Sequence, residues 1–325
     1  MLANHHQRKE VQHLIVTPSN AGQRIDNFLL SQLPGVPRSR VYRIIRKGEV
    51  RVNKGRIDVS YRLINGDSVR IPPLVYMPKS TESSPVSEKF SKMLEQAILY
   101  EDDKLLVIDK PAGLAVHGGS GISLGLIEAL RRTRPKEPFL ELVHRLDRDT
   151  SGCVMIAKRR SMLLHLHESL KLGKIKKTYF ALVEGCWQAG TMVEVPLLRY
   201  VLKSGERMVK VDPTGKPAKT SIKILESFPN ATLLQASPLT GRTHQIRVHC
   251  AYKGHPIVGD QKYGSENTNR QAKQEGCDRL FLHAYQLIIN LPYQPYTLSV
   301  VSPLKQDCEK YLSYLKKPEE SESHA

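Results

Sequence analysis

The chain has 325 residues, more than the roughly 250–300 that a single core usually organises, so two domains are expected. A formal net charge of +17 calls for a polyanionic partner, either nucleic acid or an anionic membrane surface. No run approaches the roughly 18 apolar residues of a membrane-crossing helix, and the polar start Met1–Glu10 lacks a signal peptide's apolar centre, which favours nucleic acid in the cytoplasm and no membrane.

Residues 1–19 are polar and read as a flexible N-terminus. A first unit is assigned to residues 20–83. Ile25, Phe28, Leu29 and Leu33 fall at helical spacing between Arg24 and the stop at Pro34-Gly35. A second helix follows, with Ser39 as its expected N-cap, Val41, Ile44 and Ile45 facing inward, and Gly48 as its stop. Its other face carries Arg40, Arg43 and Lys47 at positions i, i+3 and i+7, with Arg38 beside them. Strands are expected at Val50–Val52 and Ser68–Ile71, bounded by turns at Asn53-Lys54-Gly55 and Asn65-Gly66-Asp67. Two short helices feeding a small sheet, with Gly22-Gln23-Arg24-Ile25-Asp26 and Arg51-Val52-Asn53, resemble the S4 RNA-binding domain. That resemblance implies RNA contacts from Arg38, Arg40, Arg43 and Lys47. Proline and serine dominate from Pro72 onward, a composition suited to a tether, and residues 84–92 are read as the linker.

The larger unit, residues 93–316, precedes a flexible tail at 317–325. Strands are expected near Ile98–Tyr100, Leu105–Ile108, Cys153–Ala157, Thr178–Val183, Met192–Val195, Met208–Val211, Thr220–Leu225, Thr232–Ala236, Phe281–Ile289 and Thr297–Val301. Helices are expected at Ser123–Arg132, Ser161–Leu172, Thr243–Ala251 and Leu304–Leu315. This rhythm is not a regular βαβ alternation, so the fold class is α+β, with a mainly antiparallel mixed sheet and flanking helices.

Three polar clusters sit at element ends. They are His144-Arg145-Leu146-Asp147 followed by Thr150-Ser151-Gly152, Lys176-Lys177-Thr178-Tyr179, and the run Gly241 to His249. In this order, with Lys110-Pro111-Ala112-Gly113 upstream, they resemble the RluA-type pseudouridine synthases through most of residues 98–315. Within that family the S4 domain, Val116–Gly121 and Tyr42–Asn53 point to a branch acting on 23S, large-subunit ribosomal RNA or its assembly intermediates, with a sister branch as the nearest rival. The resemblance implies that Asp147 attacks the sugar at C1′ or removes its 2′ proton. It implies that Arg247 is the guanidinium that keeps Asp147 charged in a pocket that excludes water. It further implies that Tyr179 stacks on the uracil and assists removal of the C5 proton, and that Arg145 enters the space left by the flipped base. Arg242 and His244 are expected to touch phosphates. Isomerising a uridine moves one bond and needs no cofactor, and no metal or obligate protein partner is expected, so the chain is read as a monomer.

Two other readings stay open at this stage. One is an RNA-binding assembly factor without catalysis, against which intact Asp147, Tyr179 and Arg247 speak. The other is a metal-dependent nuclease using His144, Asp147 and Asp149, for which the ligand spacing is weak. The five cysteines, Cys153, Cys186, Cys250, Cys277 and Cys308, show no CxxC pair and imply neither a disulfide framework nor a zinc knuckle.

Overall fold

The computed structural model describes residues 7–8, 10–18, 20–33, 35–75, 86–118 and 124–316. The chain divides into two compact units, residues 1–85 and 86–325. The tail at 317–325, residues 84–85 of the expected linker, Pro34 and Gly119–Gly121 lie outside the described residues.

The first unit comprises β1 (Gln7–Arg8), β2 (Gln12–Ile15), α1 (Ile25–Gln32), α2 (Arg38–Arg46), β3 (Arg51–Val52), β4 (Ser68–Ile71) and β5 (Leu74–Val75). Strands β2 and β3 flank β4 antiparallel, and β1 pairs with β5. Phe28 and Leu29 of α1 meet Val41, Ile44 and Ile45 of α2 over Val69 and Ile71 of the sheet, which is the apolar stripe the spacing predicts. Asp26 ties the helices together, accepting from Arg24 and from the Tyr42 hydroxyl at 2.9 Å. Helix α2 begins two residues earlier than expected, with Pro37 in place of Ser39 at the N-cap, because the proline's φ of −60° already suits a helix entrance. The flexible N-terminus needs correction: Gln12–Ile15 is a strand on the edge of β4. Only Leu14 supplies an inward apolar residue there, so the pattern is too short to be read without its partner strand.

The second unit opens with α3 (Glu88–Gln96), which occupies most of the stretch read as linker. Ser87 Oγ accepts from the Phe90 N–H at 3.2 Å, a serine N-cap, and Leu94 is fully buried. After it come β6 (Ile98–Glu101), β7 (Leu105–Lys110), α4 (Leu126–Thr133), β8 (Glu141–Leu142), β9 (Ser151–Ala157), α5 (Arg160–Lys171) and β10 (Lys176–Glu184). Next are β11 (Thr191–Glu194), β12 (Leu197–Val201), β13 (Arg207–Val211), β14 (Lys219–Ser227), β15 (Ala231–Pro238) and α6 (Gln245–Tyr252). The unit ends with α7 (Glu266–Gln274), β16 (Leu282–Asn290), β17 (Thr297–Val301) and α8 (Gln306–Leu315).

One 10-stranded sheet carries this unit, in the order β11-β14-β15-β10-β16-β9-β7-β6, with β17 also on β16 and β8 also on β9. Its pairings are antiparallel except for β9 beside β16, so the mixed, mainly antiparallel α+β expectation holds. Strands β12 and β13 form a separate hairpin. Strands β7 and β9 are buried along their whole length, which is why they read as unbroken apolar runs rather than alternating ones.

The parallel join of β9 to β16 needs a glycine. Gly152 has φ +104°, and a Cβ there would lie 2.3 Å from the Ala284 carbonyl oxygen, on backbone that cannot move aside. Gly152→Ala is expected to cost this unit about 2–4 kcal/mol, read as a lowered urea midpoint. An unchanged midpoint would contradict the close approach.

Candidate active site

Strands β8 and β9 pair as an antiparallel couple with Leu142 opposite Ile156, and residues 143–150 make the corner between them. The corner is pinned from below by Lys110, a fully buried lysine. Its ammonium donates to the carbonyls of Pro111 and Leu114 at 2.8 Å and of Arg148 at 2.9 Å, one acceptor for each of its N–H groups. The Thr150 N–H closes back on the Asp147 carbonyl at 3.2 Å. His144 is part of this frame: its Nε2 accepts from the Met155 N–H at 3.1 Å. Burial, aided by the nearby Lys177 charge, pushes its pKa down to about 3, so the ring stays neutral and its acceptor nitrogen is spent. That geometry argues against a metal-ligand role, and among the described residues no group of three or more His, Cys, Asp or Glu side chains could hold an ion.

From the other side comes α6, entered through His244 in the left-handed region at φ 52°, where Thr243 was expected to cap. Gln245 does the local holding instead. Its Oε1 accepts from Thr240 Oγ1 at 2.7 Å and the Arg242 N–H at 3.0 Å, while its Nε2 donates to the Lys219 carbonyl and Thr220 Oγ1. Two residues on, Arg247 is 4 % exposed and forks onto Asp260, with Nε to Oδ2 and Nη2 to Oδ1 both at 2.7 Å. The remaining Nη1 donates to Asp147 Oδ2 at 3.4 Å. Burial opposes the Arg247 charge, yet hydrogen bonds and attraction from Asp260, then Asp147, hold its pKa above the ordinary guanidinium value. Asp260 has no exposed side-chain surface and also accepts the N–H groups of Lys262 and Tyr263 at 2.9 and 3.1 Å. Asn269 of α7 secures the same loop through the Gly259 N–H and the Asp260 carbonyl.

His244 faces inward. Its Nδ1 meets the Tyr263 hydroxyl at 2.7 Å and its Nε2 lies 3.8 Å from Asp147 Oδ2. Burial lowers its pKa although Asp147 works the other way. The Tyr263 ring also lies beneath Arg247, 5.2 Å from the guanidinium carbon. Tyr179, on β10, has a pKa raised first by burial and then by the Asp147 charge, so its hydroxyl keeps its proton. Arg145 is exposed on the corner, and Arg242 donates Nε to the Pro217 carbonyl at 2.9 Å.

Asp147, Tyr179, Arg247, Arg145, Arg242 and His244 thus line a single cavity of about 1330 Å³. This exceeds the roughly 300–1,000 Å³ of small-molecule sites, leaving room for a nucleotide with its flanking backbone. Arg38, Arg40, Arg43 and Lys47 belong to the first unit, on or just after α2, with Arg40 half-buried and the others exposed. Asp260 and Tyr263 were absent from the sequence reading. Their signal was Gly259-Asp260-Gln261-Lys262-Tyr263-Gly264, a charged and aromatic run between glycines just past α6.

A family model described as RNA pseudouridylate synthase matches residues 104–252, with an S4 domain model on residues 23–69, which makes the class an RNA-modifying isomerase. The chain belongs to the RNA pseudouridylate synthase family. Among its relatives is the ribosomal large subunit pseudouridine synthase C of Haemophilus ducreyi, 52% identical over 94% of this chain and 96% of its own length. The proteins of that name from Pasteurella multocida and Escherichia coli are 52% and 50% identical, covering 96% and 94% of this chain and 96% and 97% of theirs. Among solved structures, human RNA pseudouridylate synthase domain containing 4 matches with a TM-score of 0.58 at 28% identity, over 70% of this chain and 95% of that one.

The neutral His144 has a consequence for acid stability. The unfolded imidazole takes up a proton near pH 6.5 and the folded one only near 3, so the unfolded chain binds more protons between those values and stability falls as pH drops through them. His144→Gln keeps an acceptor for the Met155 N–H. It should flatten the acid loss between pH 6 and 4 by roughly 1 kcal/mol per pH unit, measured by urea unfolding at each pH, whereas an unchanged slope would contradict a neutral buried ring.

Proposed function

We propose that this enzyme converts specific uridines of large-subunit ribosomal RNA to pseudouridine, in the cytoplasm and as a single chain. The observation that carries the reading is the convergence of Asp147, Arg247 and Tyr179, from a strand corner, a helix and a central strand, in one cavity with an Asp147 carboxylate still 27% exposed toward it. All three come from one unit, so no second copy is needed to complete the site. The names of the relatives support the RNA class, and the S4 unit with its basic helix supports a tether that keeps RNA near the catalytic unit.

The reaction breaks the N1–C1′ bond, turns the uracil, joins C5 to C1′, and transfers the C5 proton away while N1 gains one, so atoms and electrons balance within the nucleotide. The base must first leave its stack, which costs a few kcal/mol and favours loops and strained helices as targets. Arg145, exposed at the rim, fills the vacated stack. Asp147 attacks C1′ or takes the 2′ proton. In either route it acts as a carboxylate, which the Arg247 Nη1 holds with a hydrogen bond at 3.4 Å. Tyr179 serves as the platform for the uracil, and its raised pKa favours stacking over a role as base. Arg242 and His244 meet the RNA backbone, with the His244 ring held by the Tyr263 hydroxyl and its Nε2 3.8 Å from Asp147 Oδ2.

Asp147→Asn should lower tritium release from C5-labelled uridine in ribosomal RNA by at least about 10⁴-fold while RNA affinity persists. Release that continues would remove Asp147 from the chemistry, and loss of binding or folding would show a structural role instead.

A further inference from the structure

Lys177 was part of a polar cluster in the sequence, yet none of the chemistry above uses it. It lies two residues before Tyr179 on β10, and both side chains line the cavity. The strand's partner bulges between Thr178 and Tyr179, but β10 itself keeps its alternation, so the two side chains share a face about 7 Å apart. The Lys177 ammonium reaches across to the opposite loop, lying 4.0 Å from where a Cβ on Gly241 would stand. It therefore sits between the loop that leads into α6 and the corner that carries Asp147.

Of the other cations lining this cavity, Arg145, Arg199 and Arg207 are exposed to solvent, and the rest are engaged. Arg247 is held by Asp260, Arg148 by Asp149, Lys262 by Glu206, Lys171 by Glu168, and Arg242 by the Pro217 carbonyl. Lys177 is half-buried and has no carboxylate partner among the described residues; burial alone acts on it, lowering its pKa. Taking an ammonium partly out of water with nothing to pair it is costly, and such a site is retained where an anion arrives to complete it. Asp147 is not that anion, since its ion pairs run to Arg247 and His244 and none joins it to Lys177. In a nucleotide whose base rests on Tyr179, a phosphate lies one sugar away, which is the span between these two side chains.

We infer that Lys177 binds one of the two phosphates flanking the flipped uridine and so fixes the sugar of that nucleotide over Asp147. This rests on the reading of the cavity as the seat of the flipped uridine. The contact is electrostatic and sequence-independent, which separates it from recognition of the base. Because it is present before and during reaction, its loss raises KM more than it lowers kcat.

The test is a chemical double-mutant cycle on a ribosomal RNA stem–loop that the wild-type enzyme converts, made with a neutral methylphosphonate at either the 5′ or the 3′ phosphate of the target uridine. Lys177→Met keeps the aliphatic stem and Lys177→Arg keeps the charge, with unfolding curves to verify that both fold. Lys177→Met is expected to lower kcat/KM about ten- to a hundredfold, mostly through KM, and Lys177→Arg to restore most of it. At one of the two positions the methylphosphonate should cost wild type a similar factor and cost Lys177→Met nothing further. Additive losses at both positions, or a folded Lys177→Met within twofold of wild type, would overturn the contact. RNA affinity measured in the Asp147→Asn background reads the same cycle without turnover, so a cycle that holds there while Asp147→Asn still releases tritium counts against the catalytic reading and leaves the phosphate contact standing.

Discussion

The site turns on a buried guanidinium that is shared unequally between two carboxylates. Asp260 takes two of the Arg247 nitrogens at 2.7 Å and is wholly enclosed, whereas Asp147 receives the third at 3.4 Å and keeps a face toward the cavity. A planar fork held at both tines cannot swing, so the third nitrogen is aimed by the pair behind it. A lysine at this position would offer a point charge without that direction. The division of labour also matters for reactivity: a carboxylate locked in a tight bidentate pair would be a poor nucleophile, and the fully paired one here is the one that touches no open space. The cost of burying this charge is met by Asp260 together with two backbone N–H groups on its far side.

Precision of this kind needs rigid backbone on each side of the cavity. The Asp147 corner is closed by the β8–β9 pairing, by the three carbonyls gathered around Lys110, and by the close approach of Gly152 to β16. The opposing loop is stitched by Gln245 to β14 and by Asn269 to the Asp260 turn. Of these groups only Gln245 lines the cavity, and the others act through what they hold. They spend polar side chains on backbone groups, which is how irregular segments are fixed without a strand or helix ladder. The cavity therefore opens between two loops that are each tied to the same central sheet.

Much of this could be read from the chain alone, and the exceptions share a cause. Asp147, Tyr179 and Arg247 stand in motifs, and the fully buried β7 and β9 announce themselves by composition. Strand β2 and helix α7 do not. Gln12–Ile15 has one inward apolar residue, and α7, Glu-Asn-Thr-Asn-Arg-Gln-Ala-Lys-Gln, buries only Ala272 and Asn269. Their stability comes from partners distant in sequence, so periodicity carries no trace of them. Helix α3 was hidden for another reason: a serine- and proline-rich stretch runs up to its N-cap, and composition averaged over that window masks the stripe of Phe90, Met93 and Leu94. Asp260 was missed because an acid in a glycine-bounded turn looks like an ordinary turn former until the fold brings Arg247 against it.

The net charge of +17 that first pointed to a polyanion fits a family that acts on RNA, and the proposed chemistry rests on the arrangement at the centre of the cavity. The most direct measurement is single-turnover pseudouridine formation by Asp260→Asn, with RNA affinity and unfolding measured on the same protein. With the fork broken, Arg247 is free to close fully on Asp147, so conversion is expected to fall at least about a hundredfold while RNA still binds. A folded Asp260→Asn protein that converts uridine within a few-fold of wild type would contradict the claim that Asp260 aims the guanidinium at Asp147.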